Sequence, residues 1–371
     1  MRDRAPPGDR QNSFGLIRLT LATLVIVSHS PEMVDGNRSR EILTRLFGTL
    51  SFGELAVLFF FLISGFLVTR SYERALSVRD YLRNRVLRIY PGYAVAFLAC
   101  TFVVAPLAGG HLLGRGPGDL LAIPIDLLKL AVPSVPGALA GLPYPSLNGA
   151  MATIAYEFRC YLVVMALAAV GFHRGPGQIA YAALVASAFA VGSLVEPGRS
   201  RGIAGLLIGD VATFGRFFAF FGTGALLFLF RHALPKHGGW AIGCAAIGLA
   251  SLAVPGLARP GLAIFGGFAL LWLAGSTRSR AGRLANETDL SYGTYLYAWP
   301  IASLVLWWWR DLDPVTLGVA TLALSLLAGF ASWSFVEKPA LALKGRRVPP
   351  DPRLEAGART PPDGPASSSK G

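Results

Sequence analysis

Ten stretches of this chain are long and apolar enough to cross a bilayer, and no other feature limits its fold so severely. They fall at about 14–31, 52–70, 90–108, 149–171, 178–195, 210–230, 238–255, 260–276, 290–309 and 314–335. A bilayer core about 30 Å thick takes roughly 20 apolar residues in a helix, whose backbone groups satisfy one another where water cannot. With 53% hydrophobic and only 15% charged residues, the composition excludes an ordinary soluble domain. The fold class expected is all-α: a polytopic membrane helix bundle with about ten transmembrane helices. Gly and Pro blur the edges of the sixth to eighth.

Three regions follow. Residues 1–13 form a polar N-terminal tail, 14–343 the membrane domain, and 344–371 a tail of Pro, Gly, Ser and charge that reads as disordered. The first apolar run has no small-residue cleavage site after it, so it is expected to stay as a span and not to act as a signal peptide. Cys100, Cys160 and Cys244 all fall inside windows, odd in number and without a CxxC spacing. They read as packing residues, with no disulfide framework and no metal expected.

The net charge of +13 is better explained by orientation than by nucleic acid. If the N-terminus is cytoplasmic, the two tails and the even-numbered connections carry a clear excess of Lys and Arg, whereas the opposite connections are nearly balanced. Basic residues belong on the inner side, so both termini are expected in the cytoplasm and the chain in a bacterial plasma (inner) membrane, with no nucleic-acid partner.

The first window, FGLIRLTLATLVIVSHSPEM, carries Arg18 near one end and His29 near the other. Eleven residues at about 1.5 Å each separate them by roughly 16 Å, and eleven is close to three turns, so both lie on one helix face. Histidine exchanges a proton near neutral pH, and an ionisable group at this depth usually marks a site or pathway. A packing histidine bonded to a neighbouring hydroxyl is the simpler reading.

The second window contains Ser64-Gly65 amid large apolar groups. Gly65 reads as a close helix contact, while Ser64 offers a hydroxyl to a ligand. The most charged segment, SYERALSVRDYLRNRVLRIYPGY, then precedes the third window. It reads either as a basic interfacial helix meeting anionic lipid or as a phosphate-binding patch, for which Arg85 and Arg88, three apart on one face ahead of Pro91, are the best pair. The long connection from Gly109 to Leu147 holds an apolar stretch too short to span, Asp119 to Val132, which reads as an interfacial helix, followed by a Pro/Gly-rich, re-entrant or lid-like segment.

The fourth window opens NGAMATIAYEFRCYL, with Asn148 at its start and Glu157 about 13 Å inside. Such a carboxylate must be paired, with Arg159 or Arg216, or must face a polar cavity, where it would orient an imidazole at the same depth. In the ninth window Tyr295 and Trp299 lie four apart on one face, positioned to line a cavity, anchor to lipid or pack. Trp307 to Trp309 read as an interfacial belt. Glu337 and Lys338, ahead of Pro339, are expected at the inner surface.

Together these motifs, R-x10-H at 18 to 29, FFFLISGF at 59–66, RNRVLRIYP at 83–91, NGAMATIAYEFRCYL at 148–162, LSYGTYLYAWP at 290–300 and FVEKP at 335–339, resemble the membrane-bound acyltransferase 3 family over about residues 14 to 343. The resemblance implies ten spans and transfer of an acyl group, most often acetyl, from cytoplasmic acyl-CoA to a hydroxyl of an exported polysaccharide, oligosaccharide or glycolipid. It implies His29 and Glu157 as catalytic residues and Arg18, Arg85 and Arg88 as ligands of the coenzyme's phosphates. Ser64, Asn148, Tyr295 and Trp299 are the expected substrate-binding positions. Polysaccharide assembly machinery and membrane lipids are the other partners implied. Many relatives carry Trp at the position of Met151 and His at that of Ala298, so roles tied to those residues do not transfer. The extra extracytoplasmic domain of some members is not expected.

In the mechanism expected, His29 acts as general base on the acceptor hydroxyl or forms an acyl-histidine. Two rival classes are a proton-coupled transporter or flippase of a lipid-linked sugar, with His29, Glu157 and Arg159 as a relay, and a non-catalytic scaffold in a polysaccharide assembly complex. No tandem repeat favours the carrier.

Overall fold

The computed structural model describes residues 12–112, 116, 118–198, 205, 207–277 and 279–344, and every regular element among them is helical. The expected tails, but for Asn12, Ser13 and Lys344, and Arg278 lie outside the described residues. Eleven helices organise the chain: α1 (Phe14–Asp35), α2 (Phe52–Glu73), α3 (Val78–Leu107), α4 (Gly118–Lys129), α5 (Met151–Ala169), α6 (Gly177–Leu194), α7 (Val211–Leu229), α8 (Gly238–Ser251), α9 (Pro255–Ser276), α10 (Ser291–Trp308) and α11 (Pro314–Ala342).

Each of the ten sequence windows is occupied by one helix, but among the described residues only eight helices meet both the length and the apolarity needed to span. The exceptions have separate causes. Helix α8 has 14 residues, short of a bilayer crossing. Helix α10 has 18, and the hydroxyls of Ser291, Tyr292, Thr294, Tyr295 and Tyr297 make its first half too polar.

The basic segment is not a separate interfacial helix leading to a third span, because α3 runs unbroken from Val78 through Pro91 to Leu107. Proline removes one donor and frees a carbonyl, a loss that membrane helices tolerate where neighbours supply hydroxyls. The carbonyl that Pro91 frees is that of Leu87, one turn back; beside it the Tyr292 hydroxyl donates to the Ile89 carbonyl at 2.9 Å and ties α10 to α3. Gly92 admits that ring, since a Cβ there would stand 2.8 Å from Tyr292 Cε1.

Small residues bring α2 and α7 together, as Gly65 promises. A Cβ on Gly65 would overlap the Phe221 carbonyl, and one on Gly224 would overlap that of Leu62. Phe61 and Phe217 stack beside this contact with centroids 4.3 Å apart. Helix α1 lies inside the bundle, against α2, α10 and α11, so whatever its side chains carry is delivered to the interior.

The long connection is pinned down. Tyr90 donates to Leu128 O at 2.9 Å and Tyr93 to Ala131 O at 2.5 Å, which ties the C-terminal end of α4 to α3. The segment beyond folds back over α10, where Trp299 Nε1 donates to Ser146 O at 2.9 Å. Leu139, fully buried, bonds Ala108 O through its amide from a left-handed backbone (φ 58°). Burial of that side chain offsets the strain of a branched residue in this region.

Candidate active site

Helix α1 forms because an apolar run buries Leu21, Val25 and Ile26, and it ends where Gly36 turns left-handed (φ 77°) and donates to Glu32 O. His29 and Glu32 therefore share one face of its last turns. His29 Nδ1 lies 3.0 Å from Glu32 Oε2, and Glu32 Oε1 accepts from Arg38 Nε at 2.6 Å. An ionised carboxylate is acceptor only, so Nδ1 is the donor of this pair, and in the neutral imidazole that tautomer leaves the Nε2 lone pair free. Nε2 faces the start of α2, where Gly53 makes room: a Cβ there would be 3.3 Å away. The Trp299 ring stands edge-on at 5.5 Å. The carboxylate that reaches the imidazole is thus Glu32, not Glu157.

Three turns back along α1, Arg18 meets a second cluster. Asp289 Oδ2 accepts from Arg18 Nη1 at 2.8 Å and from Arg88 Nη2 at 2.6 Å, while Oδ1 accepts from Ser291 Oγ at 2.6 Å. Burial pushes the Asp289 carboxyl up, but the two guanidinium groups outweigh it and hold it well below the usual carboxylate range. Glu337 is not at the surface as expected. A π-turn over Trp333–Glu337 swings it inward, 2% exposed, where Ser332 Oγ donates to it and Arg88 Nη1 lies 4.0 Å away.

Arg85 has a different setting. Its Nη2 donates to Ser71 Oγ at 3.2 Å and its guanidinium lies 5.9 and 5.7 Å from the Tyr81 and Tyr161 ring centroids. Its Nε is buried without a partner. Glu157 pairs with neither Arg159 nor Arg216 among the described residues. It accepts from Ser64 Oγ and Tyr161 Oη, both at 2.6 Å, and Arg159 instead lies 5.1 Å over the Tyr156 ring.

Four neighbouring cavities lie between these clusters, each sharing wall residues with the next. A cavity of about 390 Å³ at the basic end is lined by Arg70, Arg74, Arg83 and Lys344. Lys344 and Leu67 also line the next, about 270 Å³, with Arg18, Arg85, Arg88 and Glu157. Arg18, Ser64, Glu157 and Tyr292 pass to a narrower one of about 40 Å³, and its Tyr295 is shared with a last one of about 20 Å³ that holds His29, Ala298 and Trp299. At the mouth, burial and then the Arg85 and Arg88 charges push the Lys344 amine down to about 7.

His29, Arg18, Arg85, Arg88, Glu157, Ser64, Tyr295 and Trp299 therefore line this row of neighbouring cavities. Asn148 lies off it: fully buried, it donates to Leu296 O at 2.8 Å and ties the long connection to α10. Met151 is likewise fully packed. The sequence reading missed Glu32 and Asp289. Glu32 had a visible signal, a carboxylate three residues beyond a histidine in an apolar helix. Asp289 had only its place beside a window edge.

A family model described as an acyltransferase domain matches residues 11–334. An O-acetyl transferase of Shigella phage Sf6 is 25% identical over 187 residues, a match that covers 50% of this chain and 54% of that protein, so the chain spans about half the length of that relative. Nodulation protein 10 of Rhizobium leguminosarum bv. viciae is 28% identical over 387 residues, covering 90% of this chain and 94% of that protein. No solved structure matches.

Proposed function

The chain belongs to the acyltransferase 3 family, and on that premise we propose that it is a membrane O-acetyltransferase. It takes an acetyl group from cytoplasmic acetyl-CoA and moves it to a hydroxyl of an exported polysaccharide, oligosaccharide or glycolipid, with His29 as general base. The observation that carries this reading is the row of cavities whose shared walls lead from the basic mouth to the imidazole.

The residues divide the work by depth. Charge on the tails and inner connections puts the basic end in the cytoplasm, where the nucleotide phosphates of the donor arrive. Arg85, which bonds only the Ser71 hydroxyl and has no carboxylate in ion-pair distance among the described residues, is the arginine best placed to fork onto a phosphate. Arg18 and Arg88 share Asp289, so one carboxylate neutralises half the charge of this cationic wall. The pantetheine arm, comparable in length to the Arg18–His29 separation, runs past Ser64 and Glu157 toward His29.

At the far end, Nε2 removes the proton of the acceptor hydroxyl as its oxygen attacks the thioester carbonyl, and returns it to the departing thiolate. A positioned base of this kind contributes about 10²- to 10⁴-fold. Glu32 holds the tautomer that leaves Nε2 free and stabilises the imidazolium, and Arg38 keeps the Glu32 carboxylate in place.

The test is label transfer. Membranes containing the protein, given acetyl-CoA labelled in the acetyl group, are expected to place label in the glycan and glycolipid fraction. A carrier would leave its substrate chemically unchanged, so no label above that of membranes lacking the protein would overturn the reading.

A further inference from the structure

Thr321 stands out among the hydroxyls of the bundle. In a membrane helix a Ser or Thr hydroxyl normally bonds the carbonyl one turn back, as Thr20, Thr23, Thr69, Thr101 and Thr223 all do. Thr321 is 2% exposed, and its Oγ1 is buried with no partner. Thr294 and Ser303 share that state, but neither lines any of the four cavities of the row, whereas Thr321 lines the small cavity of His29.

The other polar groups of that cavity are engaged. Ser30 Oγ donates to Ile26 O at 2.8 Å, Trp299 Nε1 to Ser146 O, and Tyr295 Oη is 2.9 Å from Thr153 Oγ1. The placement of Thr321 is fixed one turn earlier: a Cβ on Gly318 would lie 3.0 Å from Ser30 Oγ, so α11 presses on α1 beside His29, and Thr321 follows on the same face. The cavity measures about 20 Å³, where a single water-sized group needs roughly 10–15 Å³. The imidazole of His29 and Thr321 both belong to its lining. Its remaining walls are apolar, with Ala150, Ala298 and Ala302 backed by Ile26 and Met33.

We propose that this cavity is the acyl pocket, that Thr321 donates its hydroxyl hydrogen to the acyl carbonyl oxygen, and that the tight apolar walls restrict the transferred group to acetyl. The proposal rests on the O-acyltransferase reading above. As the acceptor oxygen bonds to the carbonyl carbon, its proton passes to His29 Nε2 and the carbonyl electron pair moves onto the oxygen held by Thr321. That pair returns as the C–S bond breaks, and the thiolate takes the proton from the imidazolium. One ester and one free thiol result.

The experiment uses membranes bearing wild type, Thr321→Val, Thr321→Ser, Met33→Ala or His29→Ala, each shown to elute from detergent as a single folded species. Labelled acetyl-CoA and butyryl-CoA are supplied to the endogenous acceptor. Thr321→Val is expected to slow acetyl transfer roughly 100-fold at unchanged donor KM, as loss of one oxyanion donor does elsewhere. Thr321→Ser, which keeps the hydroxyl, is expected to retain most of the rate. Met33→Ala is expected to raise the butyryl-to-acetyl ratio about tenfold. Wild-type rates in Thr321→Val with an unchanged ratio in Met33→Ala, alongside an inactive His29→Ala, would overturn the pocket and leave the enzyme reading intact. Activity in His29→Ala would overturn that reading instead. Where Thr321→Val fails to fold, the Met33→Ala ratio decides.

Discussion

His29 and Glu32 stand one turn apart on α1, with Nδ1 3.0 Å from Oε2 and the other carboxylate oxygen held by Arg38 at 2.6 Å. One helix thus supplies both the base and the group that orients it, and the turn that follows supplies the clamp. Helix geometry alone keeps an i, i+3 pair together, so the dyad depends little on distant packing.

Glu32→Gln removes the charge that steadies the imidazolium and loosens the tautomer. Transfer is expected to fall roughly 10²- to 10⁴-fold in kcat, with donor KM nearly unchanged. Glu32→Asp, which shortens the reach but keeps the charge, should lose less. Initial rates against acetyl-CoA concentration check both, and an unaltered kcat in Glu32→Gln would reduce the pair to a structural contact.

Asp289→Asn leaves Arg18 and Arg88 facing each other without their shared anion. After discount for partial exposure, the loss of stability is about 2 kcal/mol. Because the folded carboxyl lies below the ordinary value of about 3.9, its contribution is complete above that pH and disappears as pH falls through the folded value. The gap in Tm between wild type and Asp289→Asn should be constant above about pH 5 and close in more acid solution. A gap that does not change with pH would contradict the assignment.

Lys344 at the mouth has its amine pushed down to about 7, so it is charged below that pH and largely neutral above it. Donor KM should therefore rise between pH 6 and 8 by a few-fold more in wild type than in Lys344→Arg, whose guanidinium stays charged. The comparison between the two proteins cancels the titration of the donor's own phosphate, whose second pKa is about 6. Parallel profiles would remove Lys344 from the donor's path.

Much of this was legible in the amino-acid sequence. Windows of about 20 apolar residues are dictated by bilayer thickness, so the helices at 52–73 and 211–229 follow from composition, and Gly65 announces a close helix approach without naming the partner helix. The face shared by Arg18 and His29 follows from 3.6 residues per turn. Three features were not legible. Asp289 meets Arg18 across 271 residues of chain, a contact no local pattern contains. Glu337 turns inward only because a π-turn breaks the helical period. Glu157 was matched to His29 by depth alone, although Glu32 lay three residues away and depth says nothing about which side of a helix a group faces.

The most direct test of the account is His29→Ala in membranes supplied with labelled acetyl-CoA, with insertion and expression verified beside wild type. The account predicts that label in the glycan and glycolipid fraction falls to the level of membranes lacking the protein, while acetyl-CoA still binds at the basic mouth. Acetylation near the wild-type rate in that variant would contradict it.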